Sequence, residues 1–285
     1  SVIFKKRIWR FAQIIFIFSL INYLYFYHGL NLSFFGHLSK FFTLIYSSNM
    51  ATAYYFLYIY IGFLLMLPFW RILVRHMTNQ LFLYLIALNL FFVGFIPVFS
   101  FLIFKGTADI NWFINPILAV SEPSFYFILG YWIENVLPIH WLTKRNLLYL
   151  GMAAIAGTMI ASIMTCYHGV VAGGLTEAIS ERFYDSFLFL NTAFIFCASR
   201  LWFITHNISE RWQKILLFLG SMSFGVMLFE EITRNITRFF FNRILLTYIP
   251  RFPFFDAVIW ICSAFILGLL LTYLVKKIPY FAHLI

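Results

Sequence analysis

Charge is what this sequence has least of. Of its 285 residues, 11% are Asp, Glu, Lys or Arg and 63% are hydrophobic. A soluble domain carries about 25% charged residues, so this chain cannot cover itself with a surface that water accepts. Cysteine is scarcer still. Cys166, Cys197 and Cys262 fall in or beside apolar runs, far apart in sequence. An odd number with no metal-type spacing gives neither a disulfide framework nor a thiolate site. The seven histidines contain no HExxH pair, and there is no Gly-rich phosphate loop, no GxSxG turn and no CxxC pair. Internal repeats and low-complexity linkers are also missing, so the chain reads as one domain over residues 1–285 with neither a metal nor a bound cofactor.

What is present is apolar length with basic flanks. The run AYYFLYIYIGFLLMLPFWRILV, Ala53 to Val74, has an aromatic start, Pro68 near its far end, and then Arg71 and Arg75. A hydrocarbon core of about 30 Å needs about 20 apolar residues of helix at about 1.5 Å each. Rings favour one membrane interface and arginines the cytoplasmic one. The same grammar recurs at Phe11–Tyr27, Gln80–Phe104, Ile117–Leu137, Leu147–Tyr167, Ser186–Ile204, Ile215–Ile236 and Phe254–Leu274. These predict an all-α, polytopic transmembrane helix bundle of about eight spans.

Lys5, Lys6, Arg7 and Arg10 precede the first span. Lys144 with Arg145, Arg211 with Lys214, and Lys276 with Lys277 follow the same side. Both ends of the chain are therefore expected in the cytoplasm. The net charge of +10 is read as this loop charge, with anionic lipids as partners and no nucleic acid. Arg234, Arg238, Arg243 and Arg251 around one outer loop depart from the rule. The most polar outer loop carries Glu177, Glu181 and Arg182, and a shorter one carries Asp109. The chain begins at Ser1 rather than methionine, so residues upstream are expected.

Three local patterns add detail. Leu32, Phe35, Leu38, Phe42 and Ile45 recur by threes and fours, which predicts a helix lying in the outer interface. Pro97 predicts a kink. Gly151, Ala153, Ala154, Ala156, Gly157, Ala161 and Ser162 predict a central helix that neighbours approach closely.

Chemistry is expected where charge enters the spans. In SFGVMLFEEITRNITR, Glu230 lies about 27 Å along the axis from Trp212, close to the outer surface. Glu230 and Arg234 are an i,i+4 pair. Glu230, Glu231 and Arg234 read either as an interfacial ion pair or as an outward pocket for a hydroxyl-bearing acceptor. Glu122, beside Pro123, either answers freed backbone donors or faces a cavity. Glu134 snorkels or pairs with Lys144 or Arg145. The inner cations, Arg7 with Arg10 and Arg71 with Arg75 among them, either set topology or hold the phosphates of a cytosolic donor.

Four stretches carry a family resemblance. FKKRIWR resembles the Lys-Arg-x-x-Arg stretch after the second span of membrane acyltransferase family 3, with Arg7 and Arg10 as its arginines. FLYIYIGFLLMLPFWR is similar to that family's fourth span at Leu57, Tyr60, Gly62, Pro68 and Arg71. FYFILGYWI resembles its FxxGxx span at Phe127 and Gly130. SFGVMLFEE resembles its late SYGIYLxH helix at Ser223, Phe224, Gly225 and Leu228, with Glu230 near the usual histidine. The resemblance implies a ten-span fold of which this sequence lacks the first two helices. The first of those carries the family's catalytic arginine and histidine, so no catalytic residue is assigned here.

It further implies an integral plasma (inner) membrane enzyme. The expected reaction moves an acyl group, commonly acetyl, from cytosolic acyl-CoA to a hydroxyl of a cell-surface polysaccharide or glycolipid precursor. Arg7, Arg10, Arg71 and Arg75 would hold the donor. Glu122, Glu230, Glu231 and Arg234 would stand on the acceptor side. Intramembrane acids and outer arginines fit a lipid-linked saccharide flippase or exporter subunit as well, and this is the alternative reading.

Overall fold

A backbone surrounded by hydrocarbon must pair its N–H and C=O groups within its own segment, and the α-helix does so. The computed structural model describes residues 4–27, 29–47, 49–105, 114, 116–171, 183, 185–206, 208–241 and 253–285, and every element among them is helical. The expected loop groups Asp109, Glu177, Glu181, Arg182, Arg243 and Arg251 lie outside the described residues. In chain order the helices are α1 (Trp9–Tyr27), α2 (Phe34–Tyr46), α3 (Tyr55–His76), α4 (Asn79–Asn89), α5 (Ile96–Phe104), α6 (Ile117–Val120) and α7 (Glu122–Tyr131). They continue with α8 (Lys144–Val171), α9 (Leu188–Thr205), α10 (Glu210–Phe240), α11 (Pro253–Lys276) and α12 (Pro279–Leu284).

Among the described residues, seven continuous helices are long and apolar enough to cross a membrane. Their packing is inverted relative to a soluble protein. On α8 the buried stripe is Gly151, Ala154, Gly157, Ala161 and Met164, whereas Ile155 and Ile163 are 63% and 62% exposed. Small residues inside and branched aliphatics outside is the arrangement that close helix contact and a lipid solvent select. The protein is a multi-pass membrane protein.

The fourth expected span, Ile117–Leu137, is the exception. It is broken into α6, an extended Ser121 with ψ 99°, α7, and a π-turn over Trp132–Val136. Pro123 is the cause. It has no N–H to offer the carbonyl four residues back, which is that of Ala119. Buried Asn89 supplies the missing donor from α4, Nδ2 to Ala119 O at 2.6 Å. The average hydropathy of the stretch hides this break. Pro97 acts in the same way with a different remedy, since a π-turn over Leu90–Phe95 precedes it and joins α4 to α5.

The chain gathers into two compact units, one of Ser1–Met66 with Ser209–Ile285 and one of Leu67–Ile208. In the first, Ile14, Phe18, Tyr54, Leu57, Leu228 and Phe229 form the core. Helix α2 buries only Phe41 and Leu44 and leaves Phe34 and Phe35 76% and 78% exposed, as a helix lying against hydrocarbon rather than protein would. Ser33 caps its start by accepting from Gly36 N at 3.2 Å.

The second unit turns on Phe187. This buried residue sits at φ 66°, a left-handed conformation that costs a bulky side chain about 1–3 kcal/mol. Its ring fills a notch between two glycines. A Cβ at Gly157 would stand 2.7 Å from the Phe187 Cβ, and one at Gly94 would stand 2.7 Å from its ring. The strained residue is held because the π-turn before α5 and helix α8 leave it that space. Gly157→Ala should therefore lower unfolding stability by about 1–3 kcal/mol, the usual cost of overpacking. Gly130→Ala is the control, because the nearest atom to its added Cβ is 3.9 Å away. Thermal unfolding of both variants in detergent measures the difference, and equal midpoints would remove the notch as a constraint.

Candidate functional site

Polar groups meet in the first unit where α1, α3 and α10 converge. Asn22 stands in the middle of an apolar span and is fully buried. Its Nδ2 donates to Phe18 O at 2.9 Å and to the Tyr54 hydroxyl at 2.6 Å. That hydroxyl donates in turn to Leu228 O at 3.0 Å, so one chain of bonds ties the three helices. Tyr54 ends a single 3-10 turn, Thr52–Tyr54, that leads into α3. Glu231 holds that turn by accepting from Thr52 N at 3.3 Å.

The acids of α10 then divide into two environments. Glu231 receives Arg234 Nη2 at 3.1 and 3.3 Å, a forked contact that adds to its bond with the turn. Glu230 lies 3.9 Å from Arg234 Nη1 and is about half exposed. The expected i,i+4 pair is present, and the tighter pair is i,i+3. Thr233, one turn on, is buried and donates to Glu230 O at 3.0 Å.

Beside these residues α10 and α11 flank a half-open cavity of about 270 Å³. Glu230, Thr233, Arg234 and Trp260 line it together with apolar Val226, Met227, Ile261 and Phe265. The two helices approach closely at Gly268, where a Cβ would meet Val226 at 2.9 Å. The indole N–H of Trp260 is buried and has no partner among the described residues. A carboxylate, a guanidinium, a hydroxyl and an indole on an otherwise hydrocarbon wall can orient a hydroxylated head while its apolar part stays in contact with the helices.

The other expected site residues are placed as follows. Glu122 opens α7, and its side chain lies outside the described residues. Arg7 is exposed in the first unit, and Arg10 donates from Nε to Leu284 O at 2.9 Å, at the end of α12. Arg71 and Arg75 are exposed on the last turns of α3, in the second unit. Glu134 pairs with Arg200 at 3.9 Å rather than with Lys144 or Arg145. The reason is that Arg200 is anchored beside it, with Nη1 donating to the carbonyls of Ile133 and Leu137. Among the described residues no three His, Cys, Asp or Glu side chains gather as a metal site.

Sequence reading missed Asn22, Tyr54, Thr52 and Trp260. Asn22 had a visible signal, an amide inside a hydrophobic run, because such a group in hydrocarbon needs a partner. Tyr54 had none, since an aromatic at the end of a span reads as an interface anchor. The bond chain makes its own prediction. Tyr54→Phe should cost about 1–3 kcal/mol by orphaning buried groups. The double variant Asn22→Leu with Tyr54→Phe should cost less than the sum of the singles. Additive unfolding energies would show that the two side chains act independently.

A family described as an acyltransferase domain matches residues 1–277 of the chain. No curated protein and no solved structure matches it. With the match running over nearly all of the 285 residues, the chain belongs to acyltransferase family 3.

Proposed function

We propose that this membrane acyltransferase carries an acyl group, acetyl in the simplest case, from cytosolic acyl-CoA to a hydroxyl of a cell-surface polysaccharide or glycolipid precursor. The hydroxyl oxygen attacks the thioester carbonyl, the C–O bond forms, the C–S bond breaks, and the proton released from the hydroxyl ends on the departing thiolate. The observation that carries the acceptor side is the cavity lined by Glu230, Thr233, Arg234 and Trp260. Sugar hydroxyls and an indole face are natural partners, and the apolar wall suits a lipid carrier.

Within that cavity Glu230 accepts a hydrogen bond from the acceptor hydroxyl. Glu231 is already used on two sides and serves to position Arg234 and the turn before α3. For the donor, the first unit offers the exposed Arg7 and an Arg10 with part of its fork on Leu284 O, and the second unit offers the exposed Arg71 and Arg75; each pair carries guanidinium groups suited to phosphate oxygens. In this reading the protein sits in the plasma membrane with both ends of this chain in the cytoplasm and the α10 cavity facing outward.

The test is transfer of radiolabelled acyl groups to a saccharide acceptor in membranes containing the whole chain. Arg7→Ala with Arg10→Ala should abolish labelling while the protein stays in the membrane fraction. Glu230→Gln should lower transfer about 10- to 100-fold, the factor set by roughly 1.5–3 kcal/mol for a hydrogen bond to a charged group. Undiminished transfer in the double arginine variant would take these arginines out of the mechanism. An unlabelled acceptor with intact protein and donor would sink the reading itself.

A further inference from the structure

The α10–α11 cavity has a direction. Its two helices run antiparallel, since Ser221 meets Lys276, Gly225 meets Thr272 and Val226 meets Gly268. Along α10 the wall passes from Val226 and Met227 to Glu230, Thr233 and Arg234 within about 12 Å, at about 1.5 Å per residue. Along α11 it passes the same way in space, from Phe265, Ala264 and Ile261 to Trp260. Both helices put hydrocarbon at one end and polar groups at the other. The open side is apolar too, because Ile261 and Phe265 are exposed, and on a membrane helix an exposed apolar rim meets acyl chains.

Size limits what enters. An apolar cavity of about 150 Å³ accepts benzene, so about 270 Å³ takes one six-membered ring with the first carbons of a chain. A longer chain leaves through the open side. Charge selects the head. Arg234 is forked on Glu231 and lies 3.9 Å from Glu230, so two carboxylates face one guanidinium and one negative charge is left over. Arg238 and Asp256 stand one turn further out, on α10 and α11, and cancel each other. A phosphate would meet that surplus and find the guanidinium of the cavity already engaged. A hydroxyl brings no charge and can donate to Glu230, whose contact with Arg234 is the looser one.

We infer that this cavity takes an uncharged amphiphile sideways from the bilayer, with one hydroxylated ring as its head and one alkyl chain as its tail. The ring lies at the end lined by Glu230 and Trp260, and the chain runs along Val226, Met227 and Phe265. Where the acceptor reading of the cavity holds, the acceptor is a glycoside-type lipid without a phosphate. It is then neither a polysaccharide arriving from water nor a lipid diphosphate. Binding is readable without transfer.

The experiment is photolabelling of the whole chain in phosphatidylcholine nanodiscs with dodecyl glucoside that carries a diazirine at the start of its chain. Label is expected within residues 226–234 and 260–265. Unlabelled dodecyl glucoside should suppress it, and glucose, maltotetraose or dodecyl phosphate at the same concentration should not. Ala264→Phe should reduce labelling about tenfold or more by taking the room of the ring. Glu230→Gln should narrow the gap between this probe and a dodecyl phosphate with the same diazirine, because it removes the surplus charge. If Ala264→Phe fails to fold, the map and the competition on the unchanged protein still decide. Label spread over Val258, Ile266 and Leu270, on the exposed face of α11, means surrounding lipid only and would overturn the inference. Suppression by the soluble sugars means entry from water, and suppression by dodecyl phosphate means an anionic head; either overturns it. Transfer to a soluble polysaccharide without labelling of the cavity overturns it as well and leaves the transferase reading standing. Labelling intact without any transfer counts against that reading alone.

Discussion

The structure depends on one demand: a carbonyl in an apolar surround must find a donor. At several helix breaks and ends, and at two points inside α10, a side chain from another element meets it. Asn89 answers Ala119 O at the Pro123 break, and Arg200 answers Ile133 O and Leu137 O at the end of the π-turn. Tyr54 reaches Leu228 O, Lys276 Nζ reaches Ser221 O at 2.6 Å, and Arg10 reaches Leu284 O. Long polar side chains act here as tertiary links. They fix which helices are neighbours in a protein whose apolar faces, bathed in lipid, have little preference among partners.

The same demand explains what could be read from the sequence and what could not. Seven of the eight expected spans follow from apolar runs of about 20 residues, and of the small residues on α8 Gly151, Ala154, Gly157 and Ala161 lie on its buried face while Ala153, Ala156 and Ser162 are exposed. The stretch Ile117–Leu137 has the hydropathy of a span, but Pro123 decides its shape through a single missing N–H. The remedy, Asn89, lies 30 residues away on another helix, a separation that no local pattern contains. Phe187 is harder still. Nothing in its neighbours announces a positive φ, and the two glycines that make room for it are on other elements.

Arginine shows why residue type alone assigns no role. Arg234 counts against the sidedness expected from the remaining loops, yet it lies between Glu230 and Glu231 and has a local use. Arg200 serves as a helix-end cap with its side chain only 16% exposed. Arg10 belongs to the motif that carries the family resemblance and has its Nε on backbone. A guanidinium has five donors in a fixed fork, so one nitrogen can hold structure while others face a ligand.

The two acids of α10 show how the fold separates position from chemistry. They are adjacent in sequence and therefore about 100° apart around the helix, at 3.6 residues per turn. Glu231 is turned toward the start of α3, where a backbone N–H and Arg234 hold it, and its side chain is 24% exposed. Glu230 is turned toward the α10–α11 cavity, keeps a looser contact with the same arginine, and is 49% exposed. A carboxylate fixed on two sides cannot move to meet a ligand without releasing the Tyr54 turn. Its neighbour can, at the cost of one long ion-pair contact in partly solvated surroundings, where such contacts are weak. The geometry thus gives the helix one acid to hold it in place and one acid free to engage what enters the cavity.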